Sequence, residues 1–301
     1  MADRAPSPIS ETPLASPHGE VYVPSPLRQE RERVRRRDTV RSALIAAAST
    51  ILFGGVLVAA ITGSPGWPRV RESFFSWPYA RESFPAILLG MLVNLKVLAV
   101  CAVCILILGL ILAVMRTLRS PVAFPLRLLA TAYTDLFRGL PLILVILLLG
   151  LGVPGLRLQG MPDSVLFYGG AALVLTYSAY VAEVFRAGIE SVHPSQRAAA
   201  RSLGLTSGQT MRYVILPQGV RRVIPPLLND LVSLSKDSGL VSILGAIDAV
   251  RAAGIETATS FNFTPYVVAG GLFVLLTIPL TRFTDWVSAR TTRRQSQGGA
   301  A

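Results

Sequence analysis

Two polar stripes interrupt an otherwise apolar chain. Asn229, Ser233 and Lys236 are spaced i, i+4 and i+7, with Asp237 adjacent, and Tyr180 and Glu183 are spaced i, i+3, with Thr176 one turn earlier. On a helix, each set falls along one face. An ammonium such as Lys236 holds a carboxylate, and a carboxylate such as Glu183 or Asp237 holds an ammonium. The chemistry on offer is therefore the holding of charged groups rather than bond-breaking. Each charge also has a local partner: Glu183 with Arg186, Lys236 with Asp237, and Asp135 with Arg138. Simple pairing is the competing expectation for all of them. No nucleophile-and-base arrangement or metal-ligand cluster accompanies the stripes, which argues against an enzyme and against a cofactor held by this chain. Cys101 and Cys104 form a CxxC inside VLAVCAVCILILGLIL, without a His or a second Cys pair nearby, and read as small buried hydrophobes.

The elements that carry these stripes follow from hydropathy. Hydrophobic residues make up 51% of the chain and charged residues 15%, with a mean hydropathy of +0.53, too apolar for a soluble domain. The expected fold class is an all-α integral membrane protein with about six transmembrane helices. The run SALIAAASTILFGGVLVAAIT starts at Ser42 and is long enough for a hydrocarbon core of ~30 Å. Further candidates are Pro85 to Met115, Leu128 to Val153, Val165 to Phe185, Val220 to Ala246 and Pro265 to Thr284. The second carries Asn94 and Lys96 near its start, and Lys96 has the length to snorkel to the outer interface. The third has Asp135 and Arg138 ahead of Gly139 and Pro141, so a kink or restart is expected at Pro141.

The net charge of +12 is unevenly spread. Residues 1–40 are rich in Pro and Ser, then strongly basic, and read as a disordered cytoplasmic tail. Residues 41–84 carry the first transmembrane helix and an extracytoplasmic segment, 85–294 the transmembrane domain, and 295–301 a disordered C-terminal tail. Arginines gather in the tail, at Arg116, Arg119 and Arg127, between Arg186 and Arg222, and at Arg290, Arg293 and Arg294. The alternate connections are mixed, with Arg69, Arg71 and Arg81 set against Glu72 and Glu82. Both termini are therefore expected inside.

The longest interior connection contains ARSLGLTSGQTMRYVILPQ, Ala200 to Gln218. Pro194 suits a first helical turn, Ser195 can cap it, Gly204 suits a left-handed stop, and Thr206 with Gln209 has capping-box spacing. Pro217 is expected to discourage continuation. Helix, glycine turn, helix is also the outline of a DNA reader, but this second helix is short and tied at both ends to membrane helices. Nucleic acid is not an expected partner.

The small residues Ala198, Ala199 and Ala200, then Gly204, then Val214, Leu216 and Pro217, resemble the EAA loop of ABC importer permeases. YSAYVAEVFRAGIESVHPSQ, PPLLNDLVSLSKDSGLVSILGAIDAV and AYTDLFRGLPLILVILLLGLGVPG resemble the polar amino acid branch of that family, over approximately Ala86 to Arg294. The resemblance implies a type I importer permease fold in the inner (cytoplasmic) membrane, forming a pathway for polar amino acids. It implies a second permease subunit, identical or paralogous, an extracytoplasmic amino-acid-binding protein, and a cytoplasmic ATPase dimer that binds ATP and Mg. The chain has no GxxxxGK[ST] phosphate loop, in keeping with ATP being handled by a partner. The implied docking loop is about 191–219, with Ser195, Ala198, Ala199, Gly204, Leu216 and Pro217. The implied pathway residues are Tyr180, Glu183, Asn229, Ser233, Lys236 and Asp237. Ala198 stands where the family usually has a glutamate, which would remove the acid from a capping box begun by Ser195. An ion-coupled secondary transporter and a membrane-tethered helix-turn-helix regulator are the alternatives. Against the first, no second half of the chain mirrors the polar helix.

Overall fold

The computed structural model describes residues 25–118 and 120–298, and the chain divides into two compact units, residues 1–68 and 69–301. The first unit contains α1, Pro26–Thr62. Its segment Val34–Thr62 is long and apolar enough to cross a membrane. The helix begins well before the apolar run at Ser42, so residues 26–40, part of the expected tail, are helical. Arg, Gln and Glu between Leu27 and Arg37 are strong helix formers, and Pro26 presets the first turn. Residues 1–24 of the expected tail lie outside the described residues.

The second unit is entered through α2, Trp67–Phe74, and then α3, Trp77–Thr117. It continues with α4, Phe124–Gly139, α5, Leu142–Leu147, and the short α6, Val153–Gly155. Next come α7, Val165–Glu190, α8, Pro194–Ser202, α9, Ser207–Thr210, and α10, Leu216–Asp237. A 3-10 segment, Ser238–Leu244, leads to α11, Ala249–Ser260, and α12, Thr264–Gly298, closes the chain. Among the described residues, four helices are long and apolar enough to span, or up to six if each bent pair is one span. α4 and α5–α6 form one pair, bent by 105°, and the segment Ser207–Leu244 forms the other with α11, bent by 50°.

The break between α4 and α5 falls at Leu140 and Pro141, both extended. Pro141 lacks the N–H that would have continued the ladder, which is why the expected kink appears there. Two more helices, α3 and α12, run well past their expected bounds. α3 runs through Pro85 from Trp77, so its 41 residues extend about 60 Å, twice a hydrocarbon core. α12 reaches Gly298, so residues 295–298 are helical too; residues 299–301 lie outside the described residues.

The core forms where α3, α7 and α10 meet: Val97, Cys101, Ile105, Leu173, Tyr177, Val181 and Leu234 are buried together. Beside it, a buried polar staple joins α3 to the start of α11. Asn94, 1% exposed, donates from Nδ2 to Asp248 Oδ2 at 3.0 Å and accepts from the Ala249 N–H at 3.0 Å. Asp248 Oδ1 caps α11 by accepting from the Arg251 N–H at 2.8 Å. The helices approach so closely that a Cβ on Gly90 would lie 2.4 Å from the Asp248 carbonyl carbon. Only a hydrogen fits there.

Candidate functional site

Between α7, α10 and the α4–α5 break lies a cleft of about 430 Å³, a size that suits a small molecule. α7 contributes Thr176, Tyr177 and Tyr180; α10 contributes Asp230, Ser233, Lys236 and Asp237; the break contributes Leu140, Pro141 and Leu142. The 3.6-residue period puts the α10 set on one face, and the unwound chain at Pro141 leaves room in front of it. Tyr177 donates its hydroxyl to Asp237 Oδ2 at 2.6 Å. Among the described residues, no ion pair joins Asp237 to Lys236, so the expected local pairing is corrected: the tyrosine hydroxyl takes the carboxylate, and Lys236 is exposed in the same cleft. Asp230 Oδ2 and Thr176 Oγ1 are buried and have no hydrogen-bond partner among the described residues. A smaller apolar cavity of about 250 Å³, with Ile105, Leu106, Val181 and Leu234 in its wall, shares Tyr177 and Asp230 with the cleft. Asp230 thus stands at the border of polar and apolar space.

Four of the six pathway residues expected from sequence, Tyr180, Ser233, Lys236 and Asp237, line this cleft. Asn229 is exposed one turn before Ser233 and is not among the lining residues. Glu183 is also outside this cleft and takes the other role its neighbours allowed, pairing with arginines. Its carboxylate accepts from Arg116 Nη1 at 2.7 Å and from Arg186 Nε at 3.2 Å and Nη2, with Arg138 Nη1 3.8 Å away. Three cations from α3, α4 and α7 already satisfy it. Arg138 also turns toward the cleft wall, its guanidinium 5.9 Å from the Tyr180 ring centroid, while the Tyr180 hydroxyl donates to its carbonyl at 3.4 Å. The Asp135–Arg138 pair is not among the ion pairs of the described residues, because Arg138 faces Glu183 instead.

The loop after α7 is a rigid two-helix unit. His193, not Ser195, caps α8: its Nδ1 accepts from the Ser195 N–H at 3.2 Å and lies 2.7 Å from Ser195 Oγ. Pro194 occupies the first turn, so the cap falls on the residue before it. Ser195 is therefore inside the helix, and Ala198 lies beyond the position where an acid closes a capping box; the expected loss of a cap does not occur. At the other end Gly204 has φ +82°, and the N–H groups of Gly204 and Leu205 reach the carbonyls of Arg201 and Ala200 at 3.0 and 3.2 Å, a Schellman turn. Thr206 and Gln209 form the full capping box. Pro217 does not stop the chain. A π-turn, Met211–Ile215, carries α9 into α10 and leaves Pro217 in a first turn, where its missing N–H is tolerated. Ala198, Ala199, Leu216 and Pro217 are exposed, whereas Ala200 packs inward.

A model of the family described as binding-protein-dependent transport system inner membrane component matches residues 105–293. This chain belongs to that family. It is similar to the arginine transport system permease protein ArtQ of Bacillus subtilis (strain 168), 34% identical over 200 residues that cover 65% of this chain and 88% of the relative. The probable glutamine ABC transporter permease protein GlnM of the same organism is 37% identical over 187 residues, covering 61% and 83%. A solved structure, the crystal structure of an amino acid ABC transporter with histidines, superposes with a TM-score of 0.63 at 33% identity, covering 68% of this chain and 94% of that one.

As a member of the family, the permease is a multi-pass transport component of the inner membrane and not an enzyme. A partner ATPase binds the ATP in this family. The secondary-transporter and DNA-reader alternatives give way to this reading. Two cleft residues escaped the sequence reading. Asp230 lies three residues before Ser233 and seven before Asp237, so its spacing signal was present but credited to Asn229. Tyr177 is adjacent in the chain to Thr176 but buried behind it, and only its hydroxyl at Asp237 gives it a polar role.

Proposed function

We propose that the permease forms a translocation pathway for polar amino acids and that the cleft between α7 and α10 holds the substrate. Asp230 and Asp237 face the ammonium, Lys236 faces the carboxylate, and Tyr180 and Ser233 complete the wall. Asn229 extends the stripe toward the cytoplasmic end of α10. The observation that carries this reading is a carboxylate oxygen on Asp230 with no partner, in one cleft with an exposed ammonium. A zwitterion satisfies both. Two carboxylates against one ammonium leave an excess negative charge, which disfavours substrates with acidic side chains. The arginine and glutamine systems of the relatives agree with that preference.

In this reading both termini are cytoplasmic, residues 41–84 supply the first span and an extracytoplasmic segment, and residues 85–294 form the transport domain. A second permease, identical or paralogous, completes the pathway, and an extracytoplasmic binding protein delivers the substrate. An ATPase dimer, holding ATP and Mg, docks on loop 191–219 through the surface around Ser195, Ala198, Ala199, Gly204, Leu216 and Pro217. Uptake by the reconstituted importer tests the cleft. Asp230→Asn and Lys236→Met each remove one charge-assisted hydrogen bond, worth about 1.5–3 kcal/mol, so the substrate concentration for half-maximal uptake should rise roughly tenfold or more. Unchanged uptake per folded molecule in both variants would remove the cleft from the pathway.

A further inference from the structure

The loop between α7 and α10, together with the first turns of α10, carries charge of one sign. From Ser191 to Asn229 the sequence has Arg197, Arg201, Arg212, Arg221 and Arg222 and no Asp or Glu. Two of the five are spent inside the fold: Arg197 donates to the Ile189 carbonyl at 3.4 Å and Arg222 to the Ser191 carbonyl. There they satisfy the acceptors at the C-terminal end of α7. Arg201, Arg212 and Arg221 are exposed and enter no ion pair among the described residues.

Apolar side chains share this surface. Leu203 is 82% exposed, Tyr213 64% and Leu216 46%. Arg212 lies over the Tyr213 ring, 5.9 Å from its centroid. α8 packs against the Met211–Ile215 turn, and Ala200, Thr210 and Ile215 are buried, so the two halves of the loop are held together. The glycine turn and the capping box pin it locally. Leu203 at the glycine turn and Tyr213 in the segment that α8 packs against both expose apolar surface, and apolar area gathered in this way suits a contact surface. A rigid apolar knob flanked by arginines without counter-ions matches a partner of opposite charge and is repelled by a like one.

We propose that the partner ATPase offers this loop an apolar hollow rimmed by carboxylates, with Leu203 and Tyr213 entering the hollow and Arg201 and Arg212 pairing with the rim. The inference rests on the reading of loop 191–219 as the ATPase docking surface. It adds the chemistry of the partner face.

The test uses the full permease in nanodiscs of neutral phosphatidylcholine, titrated with its cognate ATPase at increasing salt. Affinity should fall at least tenfold between about 50 and 300 mM salt, because exposed pairs are screened over that range. The double variant Arg201→Glu, Arg212→Glu should weaken binding at least tenfold and flatten the salt dependence, while Arg201→Lys, Arg212→Lys should keep both. Leu203→Ser should weaken binding with the salt dependence intact. If binding is independent of salt and of the double reversal, yet Leu203→Ser still weakens it, the carboxylate rim is refuted and the docking surface survives. If neither the reversal nor Leu203→Ser matters, the docking reading itself falls. If ATPase affinity is unchanged and the arginines alter loop protection only when anionic phosphatidylglycerol replaces the neutral lipid, they face headgroups and the proposal is overturned.

Discussion

Replacing Glu183 by Gln separates a structural acid from a transport acid. The carboxylate receives Arg116 and Arg186 directly and has Arg138 at 3.8 Å, with side-chain exposures of 24% for Glu183, 13% for Arg116, 29% for Arg186 and 41% for Arg138. An amide of the same size keeps one acceptor but leaves Arg116 and Arg138 without a counter-charge at this point, while Arg186 keeps its second partner, Glu190. A hydrogen bond to a charged group contributes about 1.5–3 kcal/mol. Partial solvent access and the retained amide oxygen reduce the sum of the two direct contacts to a net loss of about 2 kcal/mol. For a body of this size that corresponds to a fall in Tm of about 4–8 °C. Thermal unfolding in detergent reads the fall, and uptake per folded molecule should stay near the parent value. The geometry also ranks the partners: Arg116→Gln, at 2.7 Å, should lower Tm more than Arg138→Gln, at 3.8 Å. An unchanged Tm together with lost uptake would refute the assignment and return Glu183 to the substrate.

Gly90→Ala should destabilise the fold by roughly 1–3 kcal/mol through overpacking, because the added methyl meets the Asp248 and Ala249 backbone; denaturant or thermal unfolding measures it, and a neutral result would show that α11 shifts freely on α3. Gly204→Val adds no clash, since nothing lies within 4 Å of its Cβ position, but forces a β-branched residue to φ +82° at a cost of about 1–2 kcal/mol. It should leave membrane abundance intact while uncoupling ATP hydrolysis from uptake, and full transport would count against docking at this turn. A cysteine at the exposed Ser207, with Cys101 and Cys104 first replaced by Ala, should react with an impermeant thiol reagent only after permeabilisation. Labelling in intact cells would reverse the orientation.

Local signals in the chain account for much of what was foreseen. The break at Pro141, the left-handed Gly204 and the Thr206–Gln209 box each depend on a few neighbouring residues, and each took its expected form. Where a local rule had two outcomes, the sequence was a weaker guide: Pro217 can end a helix or sit in its first turn, and the π-turn before it selected the second. His193 displaced Ser195 as the cap for a similar reason, since proline at the first turn moves the boundary back by one residue. The arginine-rich stretch before Ser42 has the charge of a tail but also a high helix propensity, and the helix forms.

Hydropathy and periodicity determined the membrane class, the polar stripe of α10 and the helix–glycine–helix loop, because those are properties of one segment at a time. Tertiary structure alone decided which charges are spent and which are free. Glu183 is satisfied by Arg116, 67 residues away on α3, and Asn94 by Asp248, 154 residues away. Asp230 is left without a partner only because of what α7 and the α4–α5 break bring in front of it. A helical period says which side chains share a face. It does not say which other helix that face will meet, and in a membrane domain that meeting determines whether a charge becomes a brace or a binding group.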